Sequence, residues 1–285
     1  MAMAESRQRR AWWLLIPMID LLVGISILLL LFCFAVCGRR GYAGFERLHG
    51  WYYAHRGLHG EGRPENSMSA FQAALDHGYG IELDVHLLAD GNLAVIHDSL
   101  LKRTTGAEGR IEDLTTGELS DYYLEGTAET IPTFRQVLTL YQGKAPLIVE
   151  LKPEHGNHAL LCKTACDMLD EYDAVYCVES FDPRCIYWLK KHRPDVIRGQ
   201  LTENYFKSGS KLPAVLKFLL ANQLENFLTL PDFVAYRFSD RKNLSNWIVR
   251  KIWDVHGVTW TIKNKQDFDA AVDEGYLPIF EGFEP

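Results

Sequence analysis

The first apolar stretch of the chain differs in kind from all that follow. From Ala11 to Cys37 it reads AWWLLIPMIDLLVGISILLLLFCFAVC, with Asp20 as its one charge, and it is long enough for a helix to cross a bilayer. We read it as a single uncleaved transmembrane helix. Arg7, Arg9 and Arg10 precede it as the n-region of a secretory signal would, but the apolar run exceeds a usual h-region, and Phe34, Ala35 and Val36 before Cys37 make a poor lipoprotein cleavage site. Arg39, Arg40 and Arg47 on the far side balance the three arginines on the near side, so the side of the membrane stays open. Trp12 and Trp13 suit an interfacial belt. The expectation is a single-pass cell-membrane protein: tail and helix over 1–37, a linker over 38–50, and one folded domain over 51–285.

Beyond that point, short apolar runs alternate with amphipathic ones. WYYAH (51–55), GIELDV (80–85), LAVIH (93–97), PLIVELK (146–152), AVYCVES (174–180), VIRGQL (196–201), FVAYRF (233–238), GVTWTI (257–262) and YLPIF (276–280) have strand length and composition. Helical spacing falls between them, over 67–77, 133–142, 158–172, 183–192, 211–221, 244–256 and 265–274. In the first of these, Met68, Phe71, Ala74 and Leu75 share a face that Gly78 closes. Asp90-Gly91 is a turn between the second and third strands. Strands that alternate with helices form a parallel sheet, and about eight such units suggest a (β/α)8 barrel, with one of the nine strands peripheral. An open doubly wound sheet is the rival. Its phosphate loop should follow the first strand, and HRGLHGEGRPEN does, but without the GxGxxG spacing.

Composition narrows the function classes. Apolar residues at 47% and charged ones at 24% fit a globular chain. The net charge is −7, and six Lys or Arg against three Asp or Glu in residues 1–50 leave −10 for the rest, which argues against a nucleic-acid surface. A phosphate ligand would therefore need a metal ion or a few placed cations. Of the six cysteines, Cys162 and Cys166 share a predicted helix face; they read as packed free thiols rather than as a zinc or redox site.

Chemistry concentrates at strand ends. Glu82 and Asp84, two apart in a strand, leave it on one face, where their charge is costly without a cation. Two hard oxygen ligands point to Mg²⁺ or Ca²⁺. Glu150 is a third carboxylate at the C-terminal end of another strand, the end at which barrels build their sites. Equally, such acids are common as surface charges. His55 and His97 each end an apolar strand, where a lone His is more often structural than catalytic. A pair of them beside carboxylates supplies both a base and an acid. Arg56 can grip a phosphate oxygen, Lys152 shares the face of Glu150, and Trp260 can stack on substrate or pack in the core. His86 would share the face of Glu82 and Asp84 if that strand continues.

HRG (55–57), PENS with AF (64–67, 70–71), ELDV (82–85), DG (90–91), HD (97–98), RTTG (103–106) and ELK (150–152) together resemble the glycerophosphodiester phosphodiesterase family, and ESF (179–181), GQL (199–201) and Trp260-Thr261 extend the likeness. The resemblance implies a membrane-anchored barrel enzyme that hydrolyses glycerophosphodiesters to an alcohol and glycerol phosphate. It implies His55 and His97 as the acid/base pair and Glu82, Asp84 and Glu150 as ligands of the divalent cation. Arg56 and Lys152 would contact phosphate. The pattern departs where members often carry an Asn after the Trp-Thr pair and an Asp near the final strand: Lys263 and the ending IFEGFEP stand there, which puts the alcohol-side pocket in question. A phospholipase D or C acting on lysolipids and a catalytically inactive membrane-bound barrel are the competing functions.

Overall fold

Among the described residues of the computed structural model nine strands form, and eight of them close on one another. The structure describes residues 2–285, with side chains from Met18 onward, so the reading of Trp12, Trp13 and the arginines before them lies outside the described side chains. The barrel strands are β1 (Tyr53–His55), β2 (Gly80–Leu87), β4 (Leu147–Leu151), β5 (Tyr176–Ser180), β6 (Arg198–Thr202), β7 (Phe233–Arg237), β8 (His256–Ile262) and β9 (Leu277–Phe280). All pair in parallel, and β1 joins both β2 and β9 to close the ring. This is a (β/α)8 barrel. The peripheral strand is β3 (Leu93–Val95), which folds back antiparallel on β2 through the Asp90-Gly91 turn. His97 therefore lies just past that strand, in the loop after it.

The helices are α1 (Ala2–Ala35), α2 (Met68–Asp76), α3 (Lys102–Thr105), α4 (Phe134–Tyr141), α5 (His158–Leu169), α6 (Pro183–His192), α7 (Ala214–Ala221), α8 (Asn226–Thr229), α9 (Leu244–Lys251) and α10 (Lys265–Asp273). Their starts are locally encoded. Ser67 caps α2 by accepting from the Ala70 N–H, Thr133 and Gln136 form a capping box on α4, and Asp182 with Pro183 opens α6. Three helices are shorter than their periodicity predicts, and the one expected to run to 172 stops at Leu169. The one expected over 244–256 stops at Lys251, because Asp254 adopts a left-handed backbone (φ 55) and His256 enters β8. The one expected from 211 begins at Ala214, since Pro213 is extended.

Within α1, Met18–Ala35 is long and apolar enough to cross a membrane and is not buried in the protein, a property that a signal sequence would share. Its end is docked on the barrel: Val36 is fully buried among Val234, Tyr236, Ile248, Val249 and Val255. Residues 38–50 are packed as well. Arg39 pairs with the buried Asp232, and a 3-10 turn over Ala43–Leu48 inserts Phe45 and Leu48 beneath the barrel. These two join Tyr53, Ile148, Cys177, Phe233, Val258, Leu277 and Ile279 in the apolar lower interior, and the Tyr53 hydroxyl donates to the Leu48 carbonyl (2.9 Å). Cys162, Cys166, Cys177 and Cys185 are buried free thiols.

Candidate active site

Strand periodicity sorts the barrel interior into an apolar floor and an ionic top. A two-residue repeat puts Ile148 and Glu150 on the same inner face, likewise Cys177 and Glu179, and likewise Glu82 and Asp84. Parallel registration then sets the upper members side by side: His55 opposite Glu82, Asp84 opposite Glu150, and Glu150 opposite Glu179. All four carboxylates are buried.

Oxygens of Glu82, Asp84 and Glu150 all lie within 4.8 Å of one another. Burial and the neighbouring charges of Asp84 and Glu150 push the Glu82 carboxyl well above its usual range. Glu150 is pushed up to about 7, chiefly by burial, with Lys152 opposing. Asp84 is instead held well below its ordinary value: its burial is outweighed by Lys152, His97, Arg56 and a hydrogen bond from the Asn66 amide (2.9 Å). Lys152 Nζ bridges Asp84 (2.9 Å) and Glu150 (2.6 Å). Glu179 is forced up by burial and by Glu150, and its Oε2 is buried without a partner. Four acids thus share too few cations. An all-oxygen donor set with an unsatisfied carboxylate oxygen beside it fits a hard divalent cation, which Glu82, Asp84 and Glu150 are placed close enough together to hold.

The two histidines carry matching anchors. His55 Nδ1 is 2.8 Å from Glu281 Oε2, and His97 Nδ1 is 2.5 Å from Asp98 Oδ1. An ionised carboxylate only accepts, so each Nδ1 carries the proton and each Nε2 is left with its lone pair. The Glu281 carboxyl is held down at about 2 by the His55 hydrogen bond, with Lys263 contributing. Burial lowers both imidazoles, His97 to about 4. Both rings are therefore neutral near pH 7.

Arg56 occupies a left-handed backbone position (φ 55) at the exit of β1, where its N–H donates to Glu82 (3.2 Å). Gly57 follows at φ 81, and a Cβ there would meet the α2 backbone at Ala70 at 2.9 Å, so only glycine lets the turn lie against the helix. The Arg56 guanidinium reaches Glu65 (3.0 Å) and Asp84 (3.5 Å). Arg103 binds the same Glu65 and also Asp98, so an ionic chain runs from Asp84 to the anchor of His97. Trp260 donates from Nε1 to the Ala235 carbonyl and meets Phe181 edge-on at 5.5 Å.

Each candidate catalytic, metal and substrate residue named from the sequence lies at this end of the barrel. His55, Arg56, Glu82, His97, Glu150 and Trp260 line one pocket with Glu179 and Phe181, and Asp84 and Lys152 adjoin it. A cleft of about 740 Å³ continues outward past His97, Lys152 and Phe181 to Arg103 and Arg110. Sequence reasoning missed the site roles of Glu179, Glu281 and Asn66. His86 does share the strand face of Glu82 and Asp84, but it turns to Glu112 (2.7 Å) and to the His97 carbonyl (3.2 Å), bracing the His97 loop.

Residues 55–273 match the model of the glycerophosphoryl diester phosphodiesterase family. This chain belongs to that family. A glycerophosphodiester phosphodiesterase of Bacillus altitudinis is 44% identical over 107 residues, covering 35% of this chain and 43% of that protein. The putative glycerophosphodiester phosphodiesterase YhdW of Bacillus subtilis is 28% identical over 222 residues, 75% of this chain and 86% of its own length. Among solved structures, a phosphodiesterase of Oleispira antarctica in complex with the product sn-glycerol-3-phosphate shares the fold, with a TM-score of 0.67 at 23% identity over 84% of this chain and 94% of that one.

Proposed function

We propose that this chain is a membrane-anchored hydrolase that cleaves glycerophosphodiesters to an alcohol and glycerol phosphate, with a hard divalent cation, Mg²⁺ or Ca²⁺, held by Glu82, Asp84 and Glu150. The observation that carries the reading is the shared pocket: two neutral histidines, each with Nδ1 fixed on a carboxylate, flank a buried carboxylate cluster that is short of positive charge. When bound, the cation supplies positive charge to the phosphate oxygens and to the transition state.

The chain's own groups account for the remaining steps. Arg56 and Lys152, already aligned on Asp84, orient the phosphodiester monoanion. One imidazole takes the proton of the attacking water through Nε2. A P–O bond forms to that oxygen, the P–O bond to the alcohol breaks, and the other imidazole, which takes up a proton at Nε2 when the phosphodiester anion binds beside it, gives that proton to the departing alkoxide. Glu281 and Asp98 keep the rings in the tautomer this requires. Trp260 and Phe181 line the approach and exclude water from one side. The basic residues of the outer cleft, Arg103 and Arg110, border the space left for the alcohol.

Phosphorus NMR on a panel of glycerophosphodiesters tests the proposal. Conversion to glycerol phosphate plus free alcohol, dependent on added Mg²⁺ or Ca²⁺, is expected. No turnover of any diester with either cation would contradict it, and a cyclic phosphate product would show that a substrate hydroxyl, not water, attacks phosphorus.

A further inference from the structure

Among the described residues, one barrel helix is almost wholly exposed. α7 reads AVLKFLLA, and in its eight residues only Ala221 is buried; Val215 is 69% exposed, Leu216 43%, Phe218 51% and Leu219 36%. A helix apolar on every side belongs inside something, and a contiguous apolar patch of this kind marks an interaction surface. Phe227 and Leu228 of α8, the next helix in the chain, are also exposed. The helix is nonetheless held in place. Its last carbonyls accept from Thr202 Oγ1 (2.8 Å), Tyr236 OH (2.7 Å) and Asn243 Nδ2 (2.9 Å), which ties its C-terminal end to β6 and β7 and leaves the rest projecting outward.

Two neighbours say what covers it. Leu224, three residues past α7, packs against the same cluster that receives Phe32, Cys33 and Val36 from the end of the apolar helix α1, and α8 also contacts α1. The patch thus adjoins the point where α1 leaves the barrel. In addition, residues 206–224 contain no Asp or Glu and three lysines, of which Lys207 pairs with Asp240 (3.0 Å) and Lys211 and Lys217 make no ion pair with an acid among the described residues. Lysines around an apolar helix suit a surface of anionic headgroups, with their stems lying along the apolar face.

We propose that residues 206–224 lie in the surface of an anionic bilayer, beside the point where α1 enters it. The inference rests on α1 as a membrane helix. Residue 205 links this surface to the site: Tyr205 meets Phe181, which lines the carboxylate pocket, edge-on at 6.4 Å. The mouth of the barrel is thereby held close to the lipid.

The test uses the full chain reconstituted in phosphatidylcholine–phosphatidylglycerol vesicles, with a fluorophore on L28C, V215C, L216C or F218C and quenchers at known depths in the lipid. L244C, on an equally exposed apolar residue of α9, is the comparison site. The expected result is deep quenching at 28, shallow quenching at 215, 216 and 218, and none at 244. Quenching at 28 alone overturns the surface proposal and leaves the anchor standing. Quenching at none of the sites overturns both. Energy transfer between labelled copies at 216 or 218 that persists on dilution in lipid would assign the face to a second copy, and free access of aqueous iodide there would leave it open to a soluble partner; either overturns the proposal.

Discussion

Glu281 holds His55 by Nδ1 at 2.8 Å while its other oxygen meets Lys263 Nζ at 3.2 Å, so one carboxylate couples a lysine cation to the His55 imidazole. Glu281→Gln keeps a side chain able to accept from Nδ1 but removes the charge. Turnover should fall on the order of ten- to a hundredfold, the usual cost of losing a group that orients a functional imidazole. The carboxylate raises the His55 pKa, so its loss lowers that pKa further. Whichever limb of the pH profile reports His55 should move to lower pH, whether the ring serves as base or acid. A profile left in place would show that the contact is incidental.

Cation binding should release protons. In the cation-free chain, burial holds Glu82 well above its usual value and Glu150 at about 7, so this cluster carries protons near neutrality. A ligand carboxylate must be ionised. Cation affinity should therefore fall as pH drops through 7, and calorimetry in buffers of different ionisation enthalpy should detect the released protons. Stability follows the same sign. A carboxyl raised in the folded state binds more protons there than in the unfolded chain, whereas the lowered His55 and His97 act in the opposite sense below pH 7; melting temperature in excess chelator should therefore fall as pH rises from 7 to 9, where the histidines are largely neutral in both states, and added cation should restore most at the upper end. A melting temperature in chelator that rises over that range would contradict the shifts.

Much of this was legible in the sequence because strand parity is a local property. Glu82 and Asp84 two apart, or Ile148 and Glu150, state which side chains face inward before any partner strand is known. Parity cannot say which strand lies next to which, so the alignment of Glu150 with Glu179 was out of reach, although ESF repeats the strand-end acid of ELK. Glu281 was further still: it is 226 residues from His55, and ring closure between β1 and β9 alone brings them together. Residues 38–50, short and lacking periodicity, read as a linker, yet Phe45 and Leu48 are buried there because a barrel needs its lower end filled.

That filling has a measurable weight. Phe45→Ala should cost about 3–5 kcal/mol of stability, as a cavity opens under the barrel. For the same reason, a chain beginning at residue 32 should fold without the exposed part of α1, whereas one beginning at 51 should be strongly destabilised. Chemical denaturation of the three variants checks this; equal midpoints for the chains starting at 32 and 51 would mean that the segment contributes nothing.

The histidines can be told apart by leaving group. His55→Ala and His97→Ala should each lower turnover by about a hundredfold or more, and the double variant should lose far less than the product of the two. A diester whose alcohol departs readily needs little protonation. It should rescue the variant that lacks the acid and leave the other impaired. Rescue of both or of neither would argue against a divided acid/base pair.

The central claim is that Glu82, Asp84 and Glu150 hold a cation on which hydrolysis depends. Its most direct test is the rate of glycerophosphodiester hydrolysis by the full chain after exhaustive chelation, then with Mg²⁺ or Ca²⁺ returned, in the native protein and in Glu82→Gln. We expect activity to vanish with chelation, to return with the cation in the native chain, and to stay absent in the variant at the same cation concentration. Full activity in excess chelator, or a Glu82→Gln variant with native turnover and native cation dependence, would contradict it.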